Sequence, residues 1–314
     1  DVCSSDLLVY LPAIEKKSLS QLTHSLLSTI HACFSRADII FYVNVANAPF
    51  GILPRIFGKK TVINVDGLEW LRPKWKGLGS LYFRLCAKLV KYFFNEVITD
   101  AAEMQRIYKE QFNTSSTVLT YGAKPPHQYH PELLSQFNLV SNEFYLVVGR
   151  MIPDNNLDLI VDAYLQSNSR KKLVIIGDDI FNDEFAIAIQ QKISRNDSII
   201  LTGYVNNNDH LCTFYHHCFA YIHGHEYGGT NPTMITALNE ACFILALDTP
   251  FTQEMLDQGK NGLLYQKRGA QLAALIQAVE TDRYQEEIKL FKVRARPRVM
   301  NNYDWNKIAD GYHQ

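Results

Sequence analysis

The sequence has no long apolar run, no closely paired cysteines and no excess of charge of either sign. No stretch approaches the roughly 20 apolar residues that a membrane-spanning helix needs, so we expect none. The 31 basic and 32 acidic residues give a net charge of −1. This balance argues against a dedicated nucleic-acid-binding protein, because such proteins usually carry a basic excess. The hydrophobic content of 47% instead indicates a globular protein with a sizeable core.

The six cysteines are scattered, and none belongs to a C-x-x-C pair. Cys212 and Cys218 lie close to several histidines, which leaves zinc binding as an alternative. Structural zinc sites usually show tighter paired spacing, so the favoured interpretation is reduced thiols that serve as small apolar residues. We therefore expect neither a metal site nor a cofactor.

The chain does not begin with Met, and residues 1–7 read DVCSSDL, which resembles a translated sequencing adapter. We expect these residues to be non-native and a native N-terminal piece to be missing. No signal-peptide pattern is present, which predicts a cytoplasmic location.

Short β-rich runs alternate with longer helical patterns along the chain, and this predicts parallel sheets with right-handed crossovers. A loop rich in Pro and His interrupts the alternation near residues 122–142. We therefore expect an α/β protein with two Rossmann-like, doubly wound domains that face each other across a cleft. The expected parts are residues 1–124, residues 125–302, and a C-terminal helix at 303–314 that packs back on the first domain.

The candidate strands cover residues 8–11, 39–43, 61–65, 96–99, 117–120, 144–148, 172–176, 198–201, 219–223, 243–247 and 263–265. The candidate helices of the first half cover residues 19–34, 79–94 and 101–112.

A glycine-rich turn in the second half is a candidate anion site. Residues 223–232 read HGHEYGGTNP, after an apolar strand and before a helical pattern. Glycines let the backbone approach a ligand, and a helix start presents N–H groups and a positive dipole to an anion. The candidate phosphate ligands in this turn are Gly228, Gly229, Thr230 and Asn231. The alternative is a tight turn that binds nothing.

Two basic residues are further candidates for phosphate binding. Arg150 follows Gly149 at a strand end, where a guanidinium can hold a diphosphate; the alternative is a surface ion pair with Asp154. Lys192 lies on a later helix, where the alternative is a solvated lysine.

Three segments carry a resemblance to bacterial family-4 glycosyltransferases of the GT-B fold. They are residues 63–75 (INVDGLEWLRPKW), 145–160 (YLVVGRMIPDNNLDLI) and 221–238 (YIHGHEYGGTNPTMITAL). The sequence resembles the rhamnosyltransferase-like subgroup of exopolysaccharide and O-antigen assembly, from about Leu8 onwards. The resemblance implies transfer of a sugar from a nucleotide diphosphate donor with retention of configuration. It also implies that Arg, Lys and helix N–H groups, rather than a metal, hold the diphosphate.

The chain departs from this family at two places. The family usually carries Glu at the position of Thr236, and that Glu holds the ribose hydroxyls of the donor. Thr lacks the two acceptor oxygens of a carboxylate, and we expect Glu240, one turn later, to substitute imperfectly. The family's glycine-rich loop after the first strand is absent.

The acidic residues Asp66 and Glu69 follow an apolar strand in the first half and are candidate catalytic residues. Asp66 is suited to orient a sugar hydroxyl or to stabilise positive charge at the anomeric carbon, and Glu69 to do the same for the acceptor. The alternatives are a cap on the next turn for Asp66 and salt bridges to Arg72 or Lys74 for Glu69. His225 is a candidate to contact the sugar or the leaving phosphate, or else a buried, satisfied histidine.

Residues 72–94 are a candidate membrane-binding segment, because they contain basic and aromatic residues and no acidic one. The basic residues are Arg72, Lys74, Lys76, Arg84, Lys88 and Lys91, and the aromatic ones are Trp75, Tyr82, Phe83, Tyr92, Phe93 and Phe94. The alternative is a domain helix whose apolar stripe, with Leu81, Leu85 and Leu89, lies in the core.

The sequence therefore predicts a glycosyltransferase of surface polysaccharide synthesis, with a nucleotide-sugar donor and a lipid-linked or oligosaccharide acceptor. It acts in the cytoplasm, with the inner membrane face as a second expected location. One alternative is a nucleotide-sugar epimerase of the same fold, for which Asp66, Glu69 and Glu226 would supply the carboxylates. Another is a degenerate, non-catalytic paralogue, which Thr236 and the missing loop suggest.

Overall fold

The computed structural model describes residues 8–14, 16, 19–123, 127–178, 184–194 and 196–313. The segment 1–7, which we expected to be non-native, lies outside the described residues. The chain divides into two compact units, Asp1–Val118 (unit 1) and Leu119–Gln314 (unit 2). The sequence analysis placed this boundary at residue 124.

The strands are β1 (Ile39–Val43), β2 (Lys60–Val65), β3 (Glu96–Thr99), β4 (Thr117–Val118), β5 (Phe144–Val148), β6 (Lys172–Ile176), β7 (Ile199–Gly203), β8 (Ala220–His223), β9 (Ile244–Leu247) and β10 (Leu263–Tyr265). The helices are α1 (Leu19–Phe34), α2 (Ile52–Ile56), α3 (Leu78–Phe93), α4 (Ala102–Phe112), α5 (Glu132–Gln136), α6 (Leu157–Ser167), α7 (Glu184–Ile193), α8 (Asn208–His217), α9 (Pro232–Asn239), α10 (Pro250–Met255), α11 (Gly269–Val279), α12 (Gln285–Asn302) and α13 (Trp305–Tyr312).

Both units contain parallel sheets with helical crossovers, as predicted. The described strands of unit 1 follow the order β1-β2-β3-β4, so this sheet winds in one direction over the described residues. The sheet of unit 2 has the order β10-β9-β8-β5-β6-β7. Numbered within the unit from the other edge, this is the Rossmann order 3-2-1-4-5-6, in which the winding direction reverses between β5 and β8.

The sheet of unit 2 is buried on both faces. Tyr145 and Val147 of β5 point into one apolar cluster, and Phe144 and Leu146 point into the cluster on the opposite face. Two buried faces explain why the strands of this unit are continuous apolar runs rather than alternating patterns.

The predicted strand at residues 8–11 is wrong. These residues adopt no regular structure, and Tyr10 is exposed. An apolar run becomes a strand only where a neighbouring strand pairs with it, and no partner is present among the described residues.

Helix α13 lies within residues 303–314, where the C-terminal helix was predicted. Its contacts involve the first residues of unit 2. The Ala123 N–H donates to the Tyr303 carbonyl at 2.8 Å, and a Cβ built on Gly122 would lie 2.6 Å from the Trp305 ring. Within the described residues, none of the helices combines the length and the apolar character needed to cross a bilayer.

Candidate functional site

Two adjoining cavities open at the carboxyl ends of the central strands of unit 2. The smaller, of about 200 Å³, is lined by the ends of β5 and β8 and by the start of α9. The larger, of about 480 Å³, is lined by the ends of β5 and β6 and by Tyr204 and Val205 beyond β7. Arg150 and Thr233 line both cavities. Because β5 and β8 flank the reversal of strand order, this is the place where open α/β sheets bind ligands.

Arg150 is an exposed cation at this place. Its carbonyl accepts a hydrogen bond from Asn155 Nδ2 at 2.8 Å, which fixes the backbone beside the cavity. Within the described residues, no carboxylate lies within ion-pair distance of its guanidinium, and Asp154, the alternative partner, is buried. The guanidinium is therefore available to an anionic ligand.

Asn155 and His225 form a hydrogen-bonded pair in the wall of the smaller cavity. Since Asn155 Nδ2 donates to the Arg150 carbonyl, Asn155 Oδ1 is left as the acceptor for His225 Nδ1 at 2.8 Å. The Nδ1 atom of His225 must therefore carry a proton. The sequence analysis did not select Asn155, although it lies only five residues after Arg150 in the quoted segment 145–160.

Two glycines leave room for this pair. A Cβ built on Gly224 would lie 2.3 Å from the Asn155 carbonyl oxygen, and one built on Gly228 would lie 2.4 Å from His225 Nε2. Real Cβ atoms do not approach other atoms so closely, so any other residue at these positions would displace the wall of the cavity.

The start of α9 does not present the free N–H groups that the sequence analysis expected at this helix terminus. Asn231 caps the helix, and its Oδ1 accepts the Thr233 N–H at 2.9 Å. The Met234 and Ile235 N–H groups both donate to the Asn231 carbonyl. The first turn thus satisfies its own donors, and the helix dipole remains as its contribution to anion binding.

The glycine-rich turn is only partly in the cavity wall. Asn231 lines the smaller cavity, whereas Gly228, Gly229 and Thr230 are buried and line neither cavity. Gly228 contributes through the space that it leaves for His225.

A directional chain of hydrogen bonds lies behind the smaller cavity. Thr233 Oγ1 donates to Asn231 Oδ1 at 2.7 Å, so it accepts from the Tyr221 hydroxyl at 2.8 Å. The Tyr221 oxygen in turn accepts from His223 Nδ1 at 3.0 Å. Burial, and secondarily the charge of His225, lower the pKa of His223 to about 3, so this histidine is neutral at physiological pH.

Thr236 and Glu240, the two candidate ribose ligands, lie outside the walls of the two cavities. The Thr236 hydroxyl donates to the Pro232 carbonyl at 3.0 Å. Glu240 is buried at the opposite end of α9, where it accepts a hydrogen bond from the Tyr129 hydroxyl at 2.6 Å. That Glu240 replaces a ribose-binding Glu stays a prediction, and its place at the C-terminal end of α9 with a bond to Tyr129 counts against it.

Phosphate binding by Lys192 stays a prediction that its surroundings do not support. Lys192 lies in the last turn of α7, whereas the cavities adjoin strand ends that precede helix starts. Its ammonium pairs with Asp162 of α6 at 2.6 Å. The alternative of a surface lysine describes this residue.

In unit 1, Asp66 directly follows the carboxyl end of β2 and is half-buried. Burial, and then repulsion by the Glu69 carboxylate, raise the pKa of Asp66. Within the described residues no hydrogen bond joins its side chain to the turn at Glu69–Leu71, so the capping alternative is not seen.

Glu69 is buried and already bound by its own loop. Its carboxylate accepts a hydrogen bond from Trp75 Nε1 at 3.0 Å and forms ion pairs with Arg72, whose Nε is 3.0 Å away, and with the Lys74 ammonium at 3.8 Å. These contacts match the structural alternative, in which Glu69 holds the loop together. A role of Glu69 toward the acceptor remains a prediction.

Helix α3 carries an apolar stripe on its exposed face. The core side contains Phe83, Cys86, Ala87 and Val90. The exposed stripe has side chains that are 52 to 85% exposed, at Leu78, Leu81, Leu85 and Tyr92. The alternative that placed Leu81 and Leu85 in the core is therefore wrong.

Comparison with known proteins gives relatives for both parts of the chain. A curated relative from Campylobacter jejuni is N-acetylgalactosamine-N,N'-diacetylbacillosaminyl-diphospho-undecaprenol 4-alpha-N-acetylgalactosaminyltransferase, which is 26% identical over 176 residues. The match covers 54% of this chain and 45% of the relative, so the chain spans less than half of that protein.

Solved structures are similar over most of the chain. Anabaena HepE in complex with UDP has a TM-score of 0.75 at 17% identity, with 95% of this chain and 83% of HepE covered. Sucrose-phosphate synthase from Thermosynechococcus elongatus has a TM-score of 0.79 at 15% identity, with 99% and 80% covered. These likenesses show the two-domain α/β GT-B fold.

Two family models match the chain. Residues 38–124 match a domain of unknown function, DUF1972, within the first half. Residues 131–296, more than half of the chain, match the family of glycosyl transferases group 1. The chain therefore belongs to the glycosyl transferases group 1, and it has the GT-B fold.

Proposed function

We propose that this protein transfers a sugar from a nucleoside diphosphate donor to a lipid-linked glycan acceptor in surface polysaccharide assembly, with the donor bound in the two cavities of unit 2. The observation that carries the proposal is the Arg150 guanidinium, which has no ion-pair partner among the described residues and lines both cavities at the reversal of strand order. A diphosphate bridging the cavities would supply its counter-charge.

The two cavities differ in a way that suits the two ends of such a donor. The larger one is walled largely by apolar side chains, among them Ile176, Val205 and Leu211, which suit the flat face of a base. The smaller one contains Asn155, His225 and Asn231, which suit the hydroxyls of a sugar. The UDP bound to HepE, a protein of the same fold, supports a nucleoside diphosphate as the ligand.

The acceptor side is proposed for unit 1, with Asp66 as the residue that contacts the reacting sugars. Its raised pKa reflects burial of the carboxyl group and repulsion by the Glu69 carboxylate. Following the family resemblance, we propose retention of anomeric configuration and rhamnose as the transferred sugar. The name of the Campylobacter relative supports a polyprenyl-diphosphate-linked acceptor.

A peripheral location on the inner face of the membrane is part of the proposal. The exposed stripe of α3 is flanked by Arg84 and Lys88, which are exposed as well. An apolar stripe with flanking cations suits a surface of anionic lipids. Such docking would bring unit 1 to a lipid-linked acceptor.

The epimerase alternative has no support from the described contacts. Two of its three candidate carboxylates are already paired, Glu69 with Arg72 and Glu226 with Lys267 at 2.6 Å. The degenerate paralogue differs from the proposed enzyme in one measurable respect, since it would bind a nucleoside diphosphate without turnover.

The test compares Arg150→Ala with Arg170→Ala, which removes an exposed arginine of the same unit outside both cavities. Losing a charge-assisted hydrogen bond is worth about 1.5–3 kcal/mol, so UDP or dTDP affinity should fall about 10- to 150-fold for Arg150→Ala alone. Calorimetry measures the affinity. Equal binding by parent and Arg150→Ala would overturn the donor site, and binding without transfer to any polyprenyl-linked acceptor would favour the paralogue.

A further inference from the structure

We propose a zinc site in unit 2, separate from the donor cavities and formed by His127, Cys212 and Glu240. These residues come from three elements: the segment before α5, helix α8, and the C-terminal end of α9. One ligand atom of each lies within 4.8 Å of the others. None of the three lines either donor cavity.

The chemistry of the three side chains points to zinc. A thiolate, an imidazole nitrogen and a carboxylate oxygen are the ligand types that Zn²⁺ takes in proteins, whereas Mg²⁺ and Ca²⁺ prefer oxygen alone. In a tetrahedral site the ligand atoms lie about 3.5 Å apart, so zinc would draw this group together by about 1 Å. The fourth position is left for a water molecule.

The buried carboxylate is the second argument. Glu240 is 5% exposed, and Cys212 is 2% exposed. Glu240 accepts hydrogen bonds from two neutral donors, the Tyr129 hydroxyl at 2.6 Å and the Asn239 amide at 3.1 Å. Within the described residues, no lysine or arginine reaches ion-pair distance of this carboxylate. A buried charge is costly without a counter-charge, and a bound cation would supply one.

The orientation of His127 is the third argument. Its Nδ1 atom is 2.8 Å from Asp209 Oδ1, so Nδ1 carries the proton and Nε2 is left as the ligand atom. A carboxylate behind the non-ligating nitrogen is the usual support of a metal-bound histidine. The residues that follow His127 are held by two contacts: Tyr129 stacks on His216, and the His130 N–H donates to Thr213 Oγ1 at 2.9 Å.

The experiment measures zinc binding by the whole chain after removal of metal with a chelator. We expect one equivalent of zinc, and cobalt in its place should give a thiolate-to-metal absorption band. Cys212→Ser and His127→Ala should each weaken zinc binding at least 100-fold, and Asp209→Asn should weaken it about 10- to 100-fold. Cys33→Ser, which removes a buried cysteine of unit 1, should leave it unchanged.

If Cys212→Ser does not fold, His127→Ala decides the matter, because it alters a loop residue and its fold can be checked by circular dichroism. A folded parent that binds no zinc would overturn the proposal. Equal zinc binding by the parent and a folded His127→Ala would also overturn it. The readout is metal content rather than transfer activity, so failure here leaves the proposed glycosyltransferase untouched.

Discussion

At the scale of single residues, the carboxylates near the end of β2 have two different environments. Glu69 is tied to Arg72 and Trp75, whereas Asp66 has no ion pair among the described residues and has a raised pKa. A group that binds its proton more tightly in the folded state stabilises the fold below its unfolded pKa, about 4, and this contribution is lost as pH rises through the raised pKa. Ionised Asp66 is therefore a cost to stability at neutral pH.

Asp66→Asn should raise the melting temperature relative to the parent, by an amount that grows between pH 4 and pH 7. If Asp66 contacts the reacting sugars, turnover should fall by roughly 100-fold or more in the same variant. Thermal unfolding and a transfer assay measure the two effects, and Asp38→Asn, at an exposed position of unit 1, is the control. A lower melting temperature at pH 7 would assign Asp66 a structural role instead.

His223 should make the fold sensitive to acid. Its pKa is lowered to about 3 by burial and by His225, so the unfolded chain binds the proton more tightly. The stability that depends on neutral His223 is present above about pH 6.5 and is lost as pH falls toward 3, by roughly 1 kcal/mol per pH unit.

His223→Asn removes this titration and should flatten the pH dependence between 6.5 and 4, although it lowers stability at pH 7. Urea unfolding at a series of pH values measures the slope. His31→Asn, at an exposed position of α1, should keep the slope of the parent. An unchanged slope in His223→Asn would contradict the buried neutral histidine.

At the scale of elements, α3 provides the test of membrane docking. Changing Lys76, Arg84 and Lys88 to Gln should weaken binding to anionic vesicles by about 3 kcal/mol, since each basic residue contributes about 1 kcal/mol near such a surface. Changing Leu81 and Leu85 to Gln should weaken binding as well, because it removes buried apolar area. Vesicle sedimentation measures both variants.

The control for α3 changes the same number of charges elsewhere. Lys260, Lys289 and Lys307 are exposed in unit 2, and their replacement by Gln should have little effect. Equal loss in the control would indicate a general charge effect, and absence of vesicle binding by the parent would remove the docking proposal.

Substitutions on helix α9 test whether the ribose contact that the family resemblance implies can be restored. Thr236 lines neither cavity, but a glutamate side chain reaches further than threonine, so Thr236→Glu should increase affinity for UDP by accepting hydrogen bonds from both ribose hydroxyls. Glu240→Gln should leave UDP affinity unchanged, since Glu240 faces Tyr129 at the other end of the helix. Calorimetry on both variants separates the possibilities. Weaker binding by Glu240→Gln, with no gain for Thr236→Glu, would contradict this view of α9.

At the scale of the whole molecule, the sequence predicted the strands well where both faces are buried. Strands such as β5 and β6 are uniform apolar runs, and their predicted bounds are those observed. The run at residues 8–11 looks the same locally but has no partner strand, and pairing is a property of the fold that a local pattern does not contain. Helix α12, which contains Pro297, was one of several helices of unit 2 for which the sequence analysis gave no bounds.

The candidate site was predictable where chain order implies position. Arg150, His225 and Asn231 follow strand ends, and the carboxyl ends of parallel strands meet at one edge of a sheet. Lys192 and Glu240 lie on the far parts of their helices, and helical spacing alone does not tell which end faces a cavity. Asn155 was missed because its role depends on a hydrogen bond to a residue 70 positions away.

We expect the exposed outer strand of the unit 1 sheet to promote self-association of the chain. Over the described residues β1 is an outer strand, and Ile39 and Val43 on it are exposed. Exposed apolar edge strands are sites where chains pair with one another. Replacing both residues by Lys should shift the chain toward monomer in light scattering, whereas Val293→Lys on α12 should not. Identical association of all three proteins would exclude this edge.

The hydrogen-bond chain from His223 through Tyr221 and Thr233 to Asn231 has a consequence for ligand affinity. Every hydroxyl in it has a fixed direction before any ligand arrives, so the wall behind the smaller cavity is preorganised. Because these side chains are already ordered, ligand binding does not incur the entropy cost of ordering them. Affinity should then depend on how readily ligand and Arg150 shed their water, and free and liganded unit 2 should superimpose closely around α9.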